Sequence, residues 1–269
     1  MADFGAKEVQ GLRQATGAGM MDAKRALTES DGDFEAARRL LQEQGLSNKD
    51  KRSDRESTQG AVALGTARGG RMVALVQLRS ETDFVAKSTD FVKLAQSIAD
   101  AVATEGEAAS EQFAPAVDEL KVTLKENLQL GRVVRLEAGD GEVLDGYLHV
   151  QSDRGINGVA VQLAGGTPEL AHEVALHISF ARPGFLSRDE VPEAAVVEQR
   201  ALLEAQTRNE GKPEQALPKI IEGKLGGWFK RVPGGALLEQ PFARDDKVTV
   251  GTLLGDARVV RFEQVEIGA

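Results

Sequence analysis

From Asn48 to Gln59 the chain reads NKDKRSDRESTQ, without one apolar side chain. Such a run cannot bury enough apolar surface to offset the entropy lost on ordering. It reads as a solvated linker, and it divides the chain into a short module and a larger body. Acidic residues alternate with basic ones, which argues against a nucleic-acid-binding tail. The expected units are a helical module over 1–47, a linker over 48–59 and a core over 60–269.

The module has a helical period. Val9, Leu12 and Ala15 make one apolar stripe, and Met21, Ala23 and Ala26-Leu27 a second. Phe34, Ala37, Leu40 and Leu41 make a third, closed by Gly45. Thr16-Gly17-Ala18-Gly19 and Ser30-Asp31-Gly32-Asp33 are the breaks, with Asp33 placed to cap the third helix. Two glycines around Ala18 permit a tight turn. Met20 and Met21 follow it, and at least one is expected to face outward as an adaptable apolar contact. The glycine-rich turn lacks a Gly-Lys-Ser/Thr ending and follows no strand, so it is not read as a phosphate loop.

In the core, Ala61 to Leu64 and Met72 to Leu78 read as a β-hairpin turning at Gly69-Gly70 in a primed turn. The second strand runs into Glu81-Thr82-Asp83-Phe84-Val85-Ala86-Lys87. Thr82-Asp83-Phe84-Val85 recurs seven residues later as Thr89-Asp90-Phe91-Val92. The second copy opens an amphipathic helix capped by Thr89 or Asp90, which makes Phe91 a core residue. The first copy sits at a strand-to-helix corner, where exposure is easier.

A helix is expected over Glu111–Leu130. Strands are expected over Arg132–Leu136, Gly146–Val150 and Gly158–Leu163, with turns at 139–141 and 153–155. Thr167 should start a helix over Pro168–Phe180 that stops before Pro183. Strand, strand, helix thus occurs in both halves, which points to two α+β subdomains, 60–138 and 139–269. Helical patterns over Val191–Arg208 and Glu214–Lys230, broken at Gly211-Lys212-Pro213, suggest an antiparallel helical hairpin at 191–230. Thr249–Leu254 reads as a helical turn and Val259–Val265 as a final strand.

Composition narrows the function. Lys and Arg number 33 against 42 Asp and Glu, a net charge of −9, which favours a protein partner over nucleic acid. Only 4% of residues are aromatic, so the core must be aliphatic. There is no cysteine, which removes disulfides, thiolate catalysis and cysteine-based metal sites. His172 and His177 are five apart, where a helical zinc pair needs four. No nucleophile–base pattern stands out, so an enzyme is not expected, and neither is a cofactor or a metal. No run reaches the ~20 apolar residues of a membrane helix, and Met1–Lys7 lacks an apolar signal core. The expectation is a cytoplasmic protein away from membranes.

Several segments together resemble bacterial elongation factor Ts. They are Leu12-Arg13, Thr16 to Asp22, Lys24, Ala26-Leu27 and Gly32-Asp33 in the module, and Glu81 to Lys87 in the core. Glu126-Asn127-Leu128, Arg132 to Arg135, Tyr147-Leu148-His149, Leu237 to Phe242 and Asp245 to Val250 complete the set. The resemblance runs from Leu12 to Phe262. It implies a ubiquitin-associated-like three-helix bundle, then an α+β core of two subdomains with antiparallel sheets and a coiled-coil hairpin insertion.

The resemblance also implies a guanine-nucleotide exchange factor that binds elongation factor Tu, GDP-bound and nucleotide-free, in a 1:1 or 2:2 complex. Thr82, Asp83, Phe84 and Val85 would form a finger. Phe84 would wedge between two helices of the partner's nucleotide domain and disturb the Mg²⁺/phosphate site, so that GDP leaves and GTP can rebind. Arg13, Met20, Met21, Lys24, His149, Ala243 and Arg244 would be further contacts. This sequence departs from the family pattern in three places. Lys125 replaces a glycine, Ala243-Arg244 replaces an apolar pair, and a C-terminal contact helix is not expected.

Overall fold

The computed structural model describes residues 4–16, 18–50 and 55–268, with side chains described outside 44–50. In the module, α1 (Ala6–Thr16), α2 (Met20–Glu29) and α3 (Phe34–Asp50) close around Leu12, Ala23, Leu27 and Ala37. Asp33 accepts from the N–H groups of Glu35 (2.9 Å) and Ala36 (3.0 Å), satisfying two donors that the first turn of α3 cannot. Gly17, half of the expected tight turn, lies outside the described residues. Helix α3 runs on through Asp50, past its expected end at Gly45. A helical glycine costs only about 1 kcal/mol relative to alanine, and nothing in Leu46–Asp50 breaks a helix. Residues 51–54 of the polar run lie outside the described residues.

Strands β1 (Gln59–Ala67) and β2 (Met72–Ser80) pair antiparallel, with Ala67 opposite Met72. The connection is therefore four residues, Arg68 to Arg71, and not the expected two-residue turn. Arg68, Gly69 and Gly70 all take positive φ (51°, 65° and 86°), and the glycines supply left-handed backbone to a longer loop. The chain continues through α4 (Asp83–Ala86), α5 (Thr89–Glu105), a 3-10 stretch (Glu107–Phe113) and α6 (Ala114–Leu124). Strand β3 (Gln129–Glu137) then pairs with β2, giving a first sheet ordered β1-β2-β3.

Helix α6 is shorter than its apolar period suggests at both ends. Glu111–Phe113 is 3-10, and the α-helix stops at Leu124 because Lys125 turns left-handed (φ 60°) as its C-cap. Glycine is the favoured residue at such a cap, since a Cβ there crowds the backbone. Lys125→Gly is expected to raise the unfolding free energy by ~1 kcal/mol, read from urea denaturation. No gain would mean that the left-handed cap carries no strain.

The second half adds β4 (Glu142–Gln151), β5 (Arg154–Ala164) and α7 (Pro168–Ala181), whose N-cap Thr167 accepts from Leu170 N–H. The β4–β5 turn is Ser152-Asp153, both at positive φ (52° and 62°), and not 153–155 as expected. Helices α8 (Glu193–Asn209) and α9 (Leu217–Phe229) form the hairpin, sealed by Leu203, Leu217, Ile221, Leu225 and Phe229. The short β6 (Pro241–Phe242) and β7 (Asp245–Thr249), α10 (Val250–Leu254) and β8 (Arg258–Glu266) complete the chain. Strand β8 returns to pair with β5, giving a second sheet ordered β4-β5-β8.

The two sheets pack face to face, with α5 outside the first and α7 outside the second. Strand alternation sorts the side chains. Ala61, Ala63, Ala74, Val76 and Leu78 meet α5, while Val62, Val73 and Leu75 meet the other sheet. In β5, Val159, Val161 and Leu163 meet α7, and Ala160 faces the inter-sheet layer. Gly158 lets the sheets approach: a Cβ there would lie 2.8 Å from side-chain carbons of Leu75 and Val62.

Candidate functional site

The two copies of Thr-Asp-Phe-Val meet opposite fates. Seven residues are nearly two helical turns, so one continuous helix would put both phenylalanines on the same face. The helix is interrupted instead. Helix α4 ends with Lys87 as its C-cap, and α5 restarts from Ser88, which takes the N-cap position expected for Thr89 or Asp90. Phe91 is fully buried in the core under α5, while Phe84 is 82% exposed, more than any other large apolar side chain described.

Local contacts hold Phe84 outward. Ala86 is buried and Val85 packs on the first core, so the other side of the one-turn helix α4 must face solvent. Thr82 caps α4 through Val85 N–H, and Lys87 donates to Asp83 at 2.5 Å. That hydrogen bond holds the Asp83 carboxyl below its ordinary pKa. The corner is also pinned from a distance. Glu126 accepts from the N–H groups of Glu81 and Thr82, both at 3.1 Å, and from the Thr82 hydroxyl. Glu81 in turn accepts from Asn127 N–H at 2.6 Å. Sequence reading missed Glu126 as a site residue, because its partners lie over forty residues away in the chain.

The next residue back reaches the other module. Lys125 Nζ lies 3.8 Å from Asp22, which directly follows Met20 and Met21. Both methionines are exposed, 50% and 72%. The passage 125–126 therefore touches α2 with one residue and the finger with the next, so three exposed apolar side chains flank one short segment. Arg13 and Lys24 are exposed on α1 and α2. His149 lies on β4, while Ala243 and Arg244 contact α7 through His177 and Glu173. His149 is exposed on β4, an edge strand, 3.4 Å from the Tyr147 hydroxyl. Ala243-Arg244 is the exposed turn between β6 and β7.

This geometry holds donors, acceptors and apolar contact surface. No group of three or more His, Cys, Asp or Glu able to hold a metal occurs among the described residues. Among the same residues no helix is long and apolar enough to cross a membrane.

The family model for elongation factor TS matches residues 81–269. Over its whole length the chain is 43% identical to elongation factor Ts of Mycobacterium avium, covering 99% of that protein. It is 42% identical to elongation factor Ts of Clavibacter michiganensis subsp. michiganensis and 39% identical to that of Beutenbergia cavernae, each covered end to end.

The chain belongs to the elongation factor Ts family.

Within this family member, Phe84 projects from a corner pinned by Glu126, while its twin Phe91 holds the core. His177 is only 2% exposed, on the buried side of α7.

Proposed function

We propose that the chain is the nucleotide exchange factor for elongation factor Tu, and not a catalyst of bond-making chemistry. The observation that carries this reading is the exposed ring of Phe84 on a corner held by hydrogen bonds. In the partner, Mg²⁺ bridges the phosphates and the phosphate-binding loop and so holds GDP. An aromatic ring seated between two helices of the nucleotide domain can stabilise an arrangement in which that metal is displaced. Exchange then needs only that the factor bind nucleotide-free Tu more tightly than Tu·GDP, and by linkage GDP weakens the factor's grip equally. Met20 and Met21, with Arg13 and Lys24 beside them, give the module an adaptable contact on the same partner. His149, Ala243 and Arg244 contribute a second contact region.

Mixing the chain with Tu carrying a fluorescent GDP analogue tests the reading, with acceleration of GDP release as the expected result. Release at the spontaneous rate would overturn it. Glu126→Ala is expected to reduce the acceleration by about tenfold, because three donors at the corner lose their acceptor and the finger is no longer pre-organised. An unchanged acceleration would show that Glu126 does not hold the finger for its task.

A further inference from the structure

One face of α7 grips both residues of the β6–β7 turn. The Ala243 N–H donates to Nδ1 of His177 at 3.2 Å. The Arg244 guanidinium pairs with Glu173, one helical turn before His177 on α7. The buried His177 ring also lies against Phe242, with ring centroids 5.9 Å apart. Because Nδ1 accepts, the proton of the neutral ring sits on Nε2, which donates to the Gln240 side-chain oxygen at 3.1 Å. The Gln240 amide nitrogen donates onward to the carbonyl of Arg231 at 2.9 Å. The tautomer is thus fixed from both sides.

We propose that His177 is a positioning residue that sets, through Nδ1, the shape in which the Ala243-Arg244 turn docks on the GTPase partner. This rests on the partner-binding role of the turn proposed above. The turn has only two residues, so a single hydrogen bond to its backbone governs much of its conformation. Charged and titratable side chains on the elements around the ring are Glu169, His172 (paired with Asp145) and Glu173 (paired with Arg244) on α7, Arg182 (paired with Glu266) at its end, Asp245, Asp246 and Lys247 on β7, Glu239 (paired with Arg188) beside Gln240, and Arg231, whose guanidinium lies over the Trp228 ring. Burial pushes the His177 pKa below the ordinary histidine value, so the ring is neutral at neutral pH. Protonation would put a hydrogen on Nδ1, where the Ala243 N–H already points, and two donors would then oppose each other.

The direction of the pH effect follows. As pH falls, the unfolded chain takes up this proton first, near pH ~6.5. The stability tied to the neutral ring is present above that value and is lost as pH drops through the lowered folded-state pKa. Release of the turn should weaken docking in the same acid range.

Two variants of the full chain separate positioning from simple packing. In His177→Asn the side-chain oxygen can take the place of Nδ1 and keep the Ala243 bond. In His177→Gln the amide reaches toward Gln240 and leaves the Ala243 N–H without its acceptor. Association with Tu is expected to weaken about tenfold in His177→Gln and to stay within about twofold of wild type in His177→Asn. The Asn variant should also lose the acid weakening. Hydrogen exchange should show the Ala243 amide deprotected in His177→Gln while Val161, in the core, stays protected, which separates local release from global unfolding. Equal losses in both variants, or no loss in His177→Gln, would overturn the proposal. Ala243→Asp separates the two levels. If it binds Tu like wild type, the docking role of the turn fails and this proposal with it. If it disrupts binding while His177→Gln does not, the docking role stands and only the positioning role of His177 falls.

Discussion

Phe84→Ala is expected to slow chain-stimulated GDP release from elongation factor Tu by about 30-fold, or ~2 kcal/mol, the loss seen when a central aromatic anchor is truncated. The fold should not change. The ring is 82% exposed, so its removal opens no cavity and strands no polar group. Stopped-flow release of a fluorescent GDP analogue measures the first effect, and the urea midpoint of the free chain measures the second. A normal release rate would remove Phe84 from the mechanism. A lowered midpoint with a lowered rate would make Phe84 a structural residue.

Phe91→Ala should do the reverse. That ring is fully buried among Ala61, Val76, Ala95 and Ile98, and its loss is expected to lower stability by about 3–5 kcal/mol through lost transfer free energy and an unfilled cavity. Domains of ordinary stability hold only ~5–15 kcal/mol, so the variant should unfold at a much lower urea concentration. The fraction still folded should accelerate GDP release at nearly the wild-type rate per molecule, because the finger corner is intact. A loss below about 1 kcal/mol would contradict the burial of Phe91. The pair is a sharp contrast because the same four residue types give an exposed ring in one copy and a core residue in the other. The break at Lys87-Ser88 decides which is which.

How much of this could be read from the residues varied with the range of the interaction. Features made by neighbours in sequence were readable. Thr167 caps α7 and Asp33 caps α3, as their side chains and positions predict. The alternating residues of β8 and the amphipathic period of α5 were also plain. Turns were harder, because the turn type depends on backbone dihedrals that several residues can adopt. Gly69-Gly70 served a four-residue loop, and Ser152-Asp153 took positive φ without a glycine. The end of α6 was hidden because Lys125, and not a glycine, occupies the left-handed cap.

Long-range pairing was hardest to see. Nothing local in β8 says that it pairs with β5, or that the two sheets stack face to face. The candidate site divides in the same way. The corner before Phe84 was visible as a strand running into a helix, and so was the pair Met20-Met21. Glu126, which pins that corner, and Lys125, which reaches Asp22, act across tertiary contacts that no periodicity reports.

The most direct test puts a photoreactive benzophenone amino acid at position 84 and irradiates the complex with nucleotide-free Tu. Cross-links should fall on the two helices beside the Mg²⁺ site of the partner's nucleotide domain. The same group at position 21 should label that domain at a different place. Cross-links from position 84 confined to another domain of Tu, or none at all in a complex that has demonstrably formed, would contradict the account.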